Sequence, residues 1–213
     1  MAYFPFFVDI EGQHCLLVGG GMVAYRKAEV LVPFGPEIQI VAPEVIEPLK
    51  NLVRNDNQGR LQIYVRKFED QDIEHADFVI AATEDSSLNR RISALCKEKK
   101  IPVNVVDVQE ECSFIFPALI KDGDITVGIS TGGSSPTIAQ YLKSSFRESI
   151  PEGFGALAIQ LGSYRELVKS RVDDIHIRTA IFREMVKQGI AGGCHLSREE
   201  AEDLIRRKQK ECQ

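Results

Sequence analysis

The feature that most constrains the fold of this chain is a glycine turn near its amino terminus. Residues 14–18 form a short apolar run, and three glycines, Gly19, Gly20 and Gly21, follow it directly. From Met22 to Phe34 the apolar and small residues recur at the spacing of a helix. The sequence therefore predicts a β-strand, a tight turn and an α-helix in direct succession.

This turn has the spacing of the dinucleotide-binding fingerprint, with alanine in the third small position. Gly19 permits the tight turn, Gly21 lets the backbone approach a pyrophosphate, and Ala24 lets the helix pack closely on the strand. The amino end of the helix supplies unpaired N–H groups for anionic oxygens. The alternative is a glycine turn with a purely structural role. The residues predicted to contact a dinucleotide here are Gly19, Gly20, Gly21, Met22, Val23 and Ala24.

Strand and helix patterns alternate through the first half of the chain. Strands are predicted at 37–41, 61–65, 78–82 and 102–106, and helices at 46–53 and 87–99. Because strands that alternate with helices pair in parallel through right-handed crossovers, the fold class is α/β, with a Rossmann-type sheet covered by helices on both faces.

The pattern changes after Asp107. Strands predicted at 113–120 and 125–129 are joined by Asp122-Gly123, which indicates a hairpin. Ser135 is a predicted helix cap, and the helix that it opens runs to about Ser149. Further helices are predicted at 157–172, 174–188 and 197–209. We therefore expect three parts: a Rossmann domain at 1–112, a small α+β dimerisation module at 113–150 and a helical C-terminal domain at 151–213.

Composition excludes several classes of protein. Hydrophobic residues make up 44% of the chain and charged residues 27%, which is typical of a folded globular protein. The net charge of −5 argues against broad binding to nucleic acid. No apolar run approaches the roughly 20 residues of a membrane helix, and no basic segment precedes the first apolar residues, so we expect a cytoplasmic protein without a membrane span. The five cysteines and four histidines lack the spacing of a disulfide framework or a metal site.

Polar residues follow several predicted strands, at the sheet edge where α/β proteins bind ligands. Pro43 and Glu44 follow the second strand, near the position of the acid that binds the ribose. Glu44 is otherwise a solvated loop acid. No Arg or Lys lies close in sequence to the end of this strand, which favours NAD over NADP. Thr83 follows the fourth strand, and Asn104 and Val105 lie in the fifth; we expect all three to contact the cofactor.

Asp107 ends the fifth strand, where it is placed to face the reacting ring of a nicotinamide and to accept a proton. The alternative is a turn aspartate. A second glycine loop precedes the helix at Pro136 and offers hydroxyls and backbone donors suited to carboxylates, although it is also consistent with a simple connection. The residues predicted to bind substrate in this loop are Ser130, Thr131, Gly132, Gly133 and Ser135.

Seven motifs, in this order, make the chain resemble a known family over about residues 3–150. They are FPFFVD at 4–9, VGGG at 18–21, VAPE at 41–44, AATED at 81–85, VNVVD at 103–107, SFIFPA at 113–118 and STGG at 130–133. Together they resemble the siroheme synthase N-terminal region, the precorrin-2 dehydrogenase family. The C-terminal helices match only as a generic extension.

The resemblance implies NAD-dependent oxidation of precorrin-2 to sirohydrochlorin in siroheme biosynthesis, by a homodimer built through the middle module. It implies that Asp107 is catalytic and that the first glycine loop holds NAD. Some members of the family also insert ferrous iron, for which Asp107 would take the pyrrole protons. The substrate's carboxylates need cationic partners, and the basic side chains that we consider are Arg90, Arg91, Lys143 and Arg147.

Two other functions remain open from the sequence. One is a regulatory Rossmann module that senses NAD without catalysis and uses the helical tail as a contact surface. The other is a dehydrogenase of the same fold that acts on a different acidic substrate. A catalytic acid beside the nicotinamide distinguishes an enzyme from the regulatory module.

Overall fold

Every strand predicted in the first half of the chain forms in the computed structural model, which describes residues 3–211. The strands are β1 (His14–Val18), β2 (Glu37–Ala42), β3 (Leu61–Val65), β4 (Phe78–Ala81) and β5 (Val103–Val105). They pair in parallel in the order β3-β2-β1-β4-β5. The predicted Rossmann-type sheet is therefore confirmed, and the strand order reverses between β1 and β4, where such sheets bind ligands.

Three helices connect these strands. They are α1 (Met22–Leu31), α2 (Glu47–Arg54) and α3 (Ser86–Lys99). The helix predicted to extend to Phe34 tightens into a 3-10 turn at Val32–Phe34, because Pro33 removes a backbone donor and Gly35 ends the turn with a φ of 80°. Because the strands are parallel, each connection returns the chain to the side of the sheet at which the strands begin.

The core of this part of the chain surrounds the two central strands. All four residues of β4 are buried, as are the last four of β1, which explains why both read as continuous apolar runs. Side chains of α3, including Ile92 and Cys96, pack into the same cluster. Burial raises the pKa of the Cys96 thiol to about 11, so this cysteine is a packing residue.

The second half of the chain begins with an antiparallel hairpin and a helix, as predicted. The hairpin consists of β6 (Ala118–Asp122) and β7 (Ile125–Ile129). The helix α4 (Pro136–Ser149) starts behind Ser135, whose hydroxyl accepts a hydrogen bond from the N–H of Ile138 at 3.3 Å.

The strand predicted at 113–120 was wrong in its first part, because β6 begins only at Ala118. Ser113 instead lies along the free edge of β5. Its N–H donates to the Val103 carbonyl at 2.8 Å, and its hydroxyl accepts from the Val103 N–H at 2.7 Å. A residue that completes one sheet cannot pair within the next hairpin.

Four further helices follow within the described residues: α5 (Phe154–Ser163), α6 (Arg165–Arg171), α7 (Ile175–Ala191) and α8 (Arg198–Glu211). The single helix predicted at 157–172 is divided at Tyr164, whose hydroxyl donates to the carbonyl of Leu196 at 2.9 Å in the buried centre of this part. The cluster around it includes Val168, Ile181, Met185 and Leu204.

The chain divides into two compact units, Met1–Ile115 and Phe116–Gln213. Within the second unit α5 packs against both strands of the hairpin, and the N–H of Gly155 donates to the Asp122 carboxylate at 3.3 Å. The division into parts at 1–112, 113–150 and 151–213 stays a prediction. No helix within residues 3–211 is long and apolar enough to cross a membrane.

Candidate functional site

The glycine loop between β1 and α1 is held tightly against two other strand ends. A Cβ atom on Gly19 would lie 2.3 Å from the carbonyl oxygen of Ala82, and Gly19 has a φ of 130°. A Cβ atom on Gly20 would lie 2.0 Å from the carbonyl oxygen of Glu44. Since real side chains do not approach a backbone oxygen so closely, these two glycines are required by the packing of the protein itself.

Gly21 is different, because a Cβ atom there would meet nothing within 4 Å. It is the N-cap of α1, with extended backbone and no side chain that caps the helix. The first helical bond runs from the Tyr25 N–H to the Gly21 carbonyl, so the N–H groups of the first turn have no partner in the helix. The first turn also contains no acid. This open end therefore fits the pyrophosphate of a dinucleotide in shape and in charge.

The other fingerprint positions divide between core and surface. Ala24 is fully buried, and this small side chain allows α1 to pack on the sheet. Met22 and Val23, the first residues of the helix, are 47% and 41% exposed. Their side chains thus border the open helix end.

At the end of β2, backbone contacts hold Pro43 and Glu44 beside the glycine loop. The N–H of Ile46 donates to the Gly20 carbonyl at 2.9 Å. Pro43 and Glu44 are exposed. The position of Glu44 next to Gly20 suits a hydrogen bond to ribose hydroxyls, and this role stays a prediction.

Thr83, which follows β4, uses its hydroxyl within the protein. The hydroxyl donates to the side-chain oxygen of Asn89 at 2.7 Å, and the Asn89 amide donates back to the Thr83 carbonyl at 2.9 Å. Asn89 is buried on α3, so the pair fixes the loop between β4 and this helix. The N–H of Thr83 also donates to the Asn89 oxygen at 3.3 Å, so the polar groups of Thr83 are engaged within the protein and its contact with the cofactor stays a prediction.

Asn104 and Val105 of β5 are also engaged inside the protein. The amide of Asn104 donates to the Phe114 carbonyl at 2.9 Å, and the N–H of Val105 contacts the Cys112 sulfur at 3.1 Å. Both side chains are buried. Their predicted role as cofactor contacts is not supported by a free polar group, and it stays a prediction.

Asp107 lies at the same sheet edge as the glycine loop. It is exposed and adopts a left-handed conformation with a φ of 62° just after β5. The neighbouring Val106 N–H donates to the Ala81 carbonyl at 3.0 Å, which ties this turn to the end of β4. Non-glycine residues in this conformation are uncommon, and they often lie at functional sites.

Lys27 is a residue of this edge that sequence reasoning did not assign a role. It lies on α1, one turn beyond Ala24, and is half-buried. Burial lowers the pKa of Lys27, while electrostatic attraction to Cys112 and Asp107 opposes this change. The structure therefore places a cation of α1 within electrostatic reach of the Asp107 carboxylate. Its place on the helix that the fingerprint opens was the available signal.

The second glycine loop belongs to the second unit, and its hydroxyls bond within the loop. Thr131 donates to the Ser135 carbonyl at 3.0 Å and accepts from the Ser135 N–H at 3.2 Å, while the Ser130 hydroxyl accepts from the Gly132 N–H at 3.1 Å. Gly132 and Gly133 adopt φ values of 64° and 89°. These hydrogen bonds fix the conformation of the loop that leads into α4. Its role in binding a substrate stays a prediction.

A family model described as "Putative NAD(P)-binding" matches residues 6–118, which is more than half of the chain. The match spans β1 to β5, with the glycine loop and Asp107. This chain belongs to that NAD(P)-binding family. The cofactor class predicted from the fingerprint is thereby confirmed.

Curated relatives are siroheme synthases, as the sequence motifs predicted. One from Thioalkalivibrio sulfidiphilus is 41% identical over 187 residues, which cover 88% of this chain and 38% of the relative. Another, from Hydrogenovibrio crunogenus, is 36% identical over 210 residues, which cover 96% of this chain and 44% of the relative. The NAD(P)-binding chain described here thus spans less than half the length of these relatives.

A solved structure named "SirC, precorrin-2 dehydrogenase" is similar in fold. It superposes with a TM-score of 0.71 and covers 98% of this chain and 100% of its own, at 22% sequence identity. At this identity the likeness establishes the fold, which agrees with the predicted Rossmann-type sheet followed by a smaller hairpin module and helices.

The contrast between Gly19 and Gly21 gives a matched pair of variants. Gly19→Ala places a methyl group against the Ala82 carbonyl and forces φ out of its left-handed value, so we expect a loss of about 1–3 kcal/mol or more in the free energy of unfolding. Gly21→Ala meets no protein atom, and we expect normal stability with NAD affinity reduced at least about tenfold. Urea unfolding and calorimetric titration with NAD measure the two effects. If Gly21→Ala bound NAD with the affinity of the wild type, the open end of α1 would not be part of the NAD site.

Proposed function

We propose that this chain catalyses the NAD-dependent oxidation of precorrin-2 to sirohydrochlorin in siroheme biosynthesis. The observation that carries the proposal is the exposed Asp107 carboxylate on the sheet edge that also holds the glycine loop, within electrostatic reach of Lys27. The names of the siroheme synthase relatives and of the similar solved structure support the choice of substrate. We place the protein in the cytoplasm, where NAD is available.

The reaction removes two electrons and two protons from the reduced macrocycle. Bound NAD supplies the acceptor for the hydride. The open amino end of α1 would hold the pyrophosphate of NAD through the N–H groups of its first turn. Asp107 takes the remaining proton from the macrocycle, because its carboxylate is exposed at this same edge.

Residues that do not touch the substrate hold the turn that carries Asp107 and the loop after β4 in place. The Thr83 and Asn89 pair fixes the loop after β4, and Cys112 closes the edge of β5 behind Asp107. Glu111, which accepts hydrogen bonds from Ser93 and Lys97 at 2.9 and 2.6 Å, anchors the segment that follows Asp107 to α3. The turn that carries the proton acceptor is therefore held at both ends.

The substrate's carboxylates require cations, and the basic side chains considered from the sequence differ in exposure and in whether they are already paired. Arg91 is paired with Asp70 at 2.7 Å, so its charge is already compensated. Arg90 and Arg147 are exposed, and Lys143 is half-buried on α4. We propose that the backbone donors of the loop from Ser130 to Ser135, together with Lys143 and Arg147, bind these carboxylates within the second unit.

A homodimer is part of the proposal, and α4 supplies its support. Ile138, Tyr141 and Phe146 are 54%, 71% and 47% exposed and lie on one side of this helix. An apolar stripe of this kind on a helix is typical of an interface. We propose that α4 and the hairpin bury it against a second copy of the chain.

Replacing Asp107 tests the catalytic assignment. Asp107→Asn keeps the shape of the side chain and tolerates the left-handed backbone, but it cannot accept the proton. We expect kcat for sirohydrochlorin formation to fall by about 100-fold to 10,000-fold while NAD binding is retained. Anaerobic absorbance measurements with precorrin-2 and NAD follow the product, and Asp124→Asn in the exposed hairpin turn is the control.

Two outcomes of this assay would refute the assignment in different ways. Undiminished turnover in Asp107→Asn would remove Asp107 from the reaction. A wild-type protein that binds NAD but oxidises no precorrin-2 would favour the NAD-sensing regulatory module over the enzyme.

Iron insertion is a second proposed activity of the same site, with ferrous iron as a substrate. Asp107 is an exposed carboxylate able to accept the pyrrole protons that the metal displaces. Among the described residues no group of three His, Cys, Asp or Glu is arranged to hold a resident metal ion. We expect anaerobic sirohydrochlorin and ferrous iron to yield siroheme faster with the protein than without it, and Asp107→Asn to abolish the difference; equal rates would exclude the activity.

The dimer is tested by placing a charge in the apolar stripe. Tyr141→Glu puts a carboxylate at its most exposed position, so we expect the dimer to dissociate at micromolar concentration in sedimentation equilibrium. Gln140→Glu adds the same charge on the opposite side of α4 and should leave the mass unchanged. A wild-type protein that sediments as a monomer would contradict the proposal.

A further inference from the structure

Arg66 is a cation next to the end of β2 that is far from this strand in sequence. It directly follows β3, whose last residue, Val65, pairs with Ala42, the last residue of β2. The Arg66 N–H donates to the Ala42 carbonyl at 3.1 Å. In Rossmann folds the adenosine ribose lies at the end of β2, where an acid favours NAD and a nearby arginine accommodates the 2′-phosphate of NADP.

The guanidinium of Arg66 is already engaged by a carboxylate. Its two terminal nitrogens donate to the two oxygens of Asp72 at 2.8 and 2.5 Å, and one of them also donates to the Lys67 carbonyl at 3.0 Å. The Tyr64 ring lies 5.8 Å below the guanidinium carbon. Arg66 and Asp72 therefore form a bidentate pair, and Lys67 and Tyr64 further fix the position of the guanidinium.

Asp72 cannot follow the arginine if the arginine moves. Its side chain is only 4% exposed, whereas that of Arg66 is 35% exposed. The N–H of Glu69 donates to the same carboxylate at 2.9 Å, and the next residue, Ile73, is fully buried. Burial acts to raise the pKa of Asp72, but the hydrogen bonds from Arg66 and Glu69 outweigh it and the pKa is lowered. Release of Arg66 would leave a buried negative charge without its partner, which is costly.

We propose that the Arg66–Asp72 pair determines cofactor choice by withholding Arg66 from the ribose end of the site, so that the protein selects NAD over NADP. The exposed carboxylate of Glu44, at the neighbouring strand end, adds repulsion toward a 2′-phosphate. The inference rests on the proposed binding of NAD at the glycine loop, and it assigns the specificity of that site.

Release of the arginine is the direct test. Asp72→Asn removes the charge that holds Arg66 while keeping the shape of the side chain. We expect the ratio of the Kd for NADP to the Kd for NAD to fall about tenfold or more, since a charged hydrogen bond to the phosphate is gained. In Asp72→Asn with Arg66→Gln the wild-type ratio should return. Calorimetric titration with NAD and NADP measures both constants on the full chain.

A neighbouring ion pair supplies the matched control. Asp70 lies two residues from Asp72 and binds Arg91 on α3, with both partners exposed. Asp70→Asn removes the same charge from the same turn without releasing Arg66. The ratio of the two constants should stay within about twofold of the wild-type value.

A second variant covers the case in which Asp72→Asn does not fold. Glu44→Arg adds an unpaired cation at the end of β2, and we expect it to lower the same ratio about tenfold. An unchanged ratio in Glu44→Arg would show that the ribose does not lie at this strand end, and it would overturn the inference.

The possible results separate this inference from the proposed function. Wild-type protein that binds NAD and NADP equally, or a folded Asp72→Asn that binds NAD with an unchanged ratio, overturns the role of the pair and leaves oxidation of precorrin-2 standing. Wild-type protein that binds neither dinucleotide overturns both. A preference for NAD that is lost in Asp72→Asn, kept in Asp70→Asn and restored in Asp72→Asn with Arg66→Gln supports the inference.

Discussion

The contact on which the rest of the site depends is the close approach of the glycine loop to the backbone at the ends of β2 and β4. Gly19 lies too close to the Ala82 carbonyl, and Gly20 too close to the Glu44 carbonyl, for either residue to carry a Cβ atom. Backbone packed this closely cannot shift without disturbing the central strands. It therefore fixes where α1 begins, and with it the direction in which the unpaired N–H groups of Gly21 and the following turn point.

The polar residues at the other strand ends form two groups, one that bonds within the protein and one that is exposed. Thr83 and Asn104 bond to neighbouring segments and hold the loops in place. Glu44 and Asp107 are exposed at the same edge. These two carboxylates stay accessible because other polar groups form hydrogen bonds with the backbone around them. The chemistry that we propose requires only one proton acceptor, since the cofactor carries the hydride.

Several predictions failed or were incomplete for a common physical reason. The strand predicted at 113–120 was cut short because Ser113 pairs with β5, and the helix predicted at 157–172 is divided at Tyr164, which bonds to Leu196. Both residues suit the predicted element locally. The competing partner lies elsewhere in the chain, and the energy of a buried hydrogen bond outweighs a weak local preference.

The sequence by itself determined the alternation of strands and helices and the location of the glycine turn. These depend on local quantities: the periodicity of apolar side chains, and the backbone freedom that glycine brings to a tight turn. It also identified Asp107 as a strand-end acid, because strand ends are visible as the ends of apolar runs. Only the tertiary structure decided which charges act on one another. Arg66 lies beside the end of β2 through strand pairing, and Lys27 comes within electrostatic reach of Asp107 through the packing of α1, because electrostatic energy depends on distance in space and not on separation along the chain.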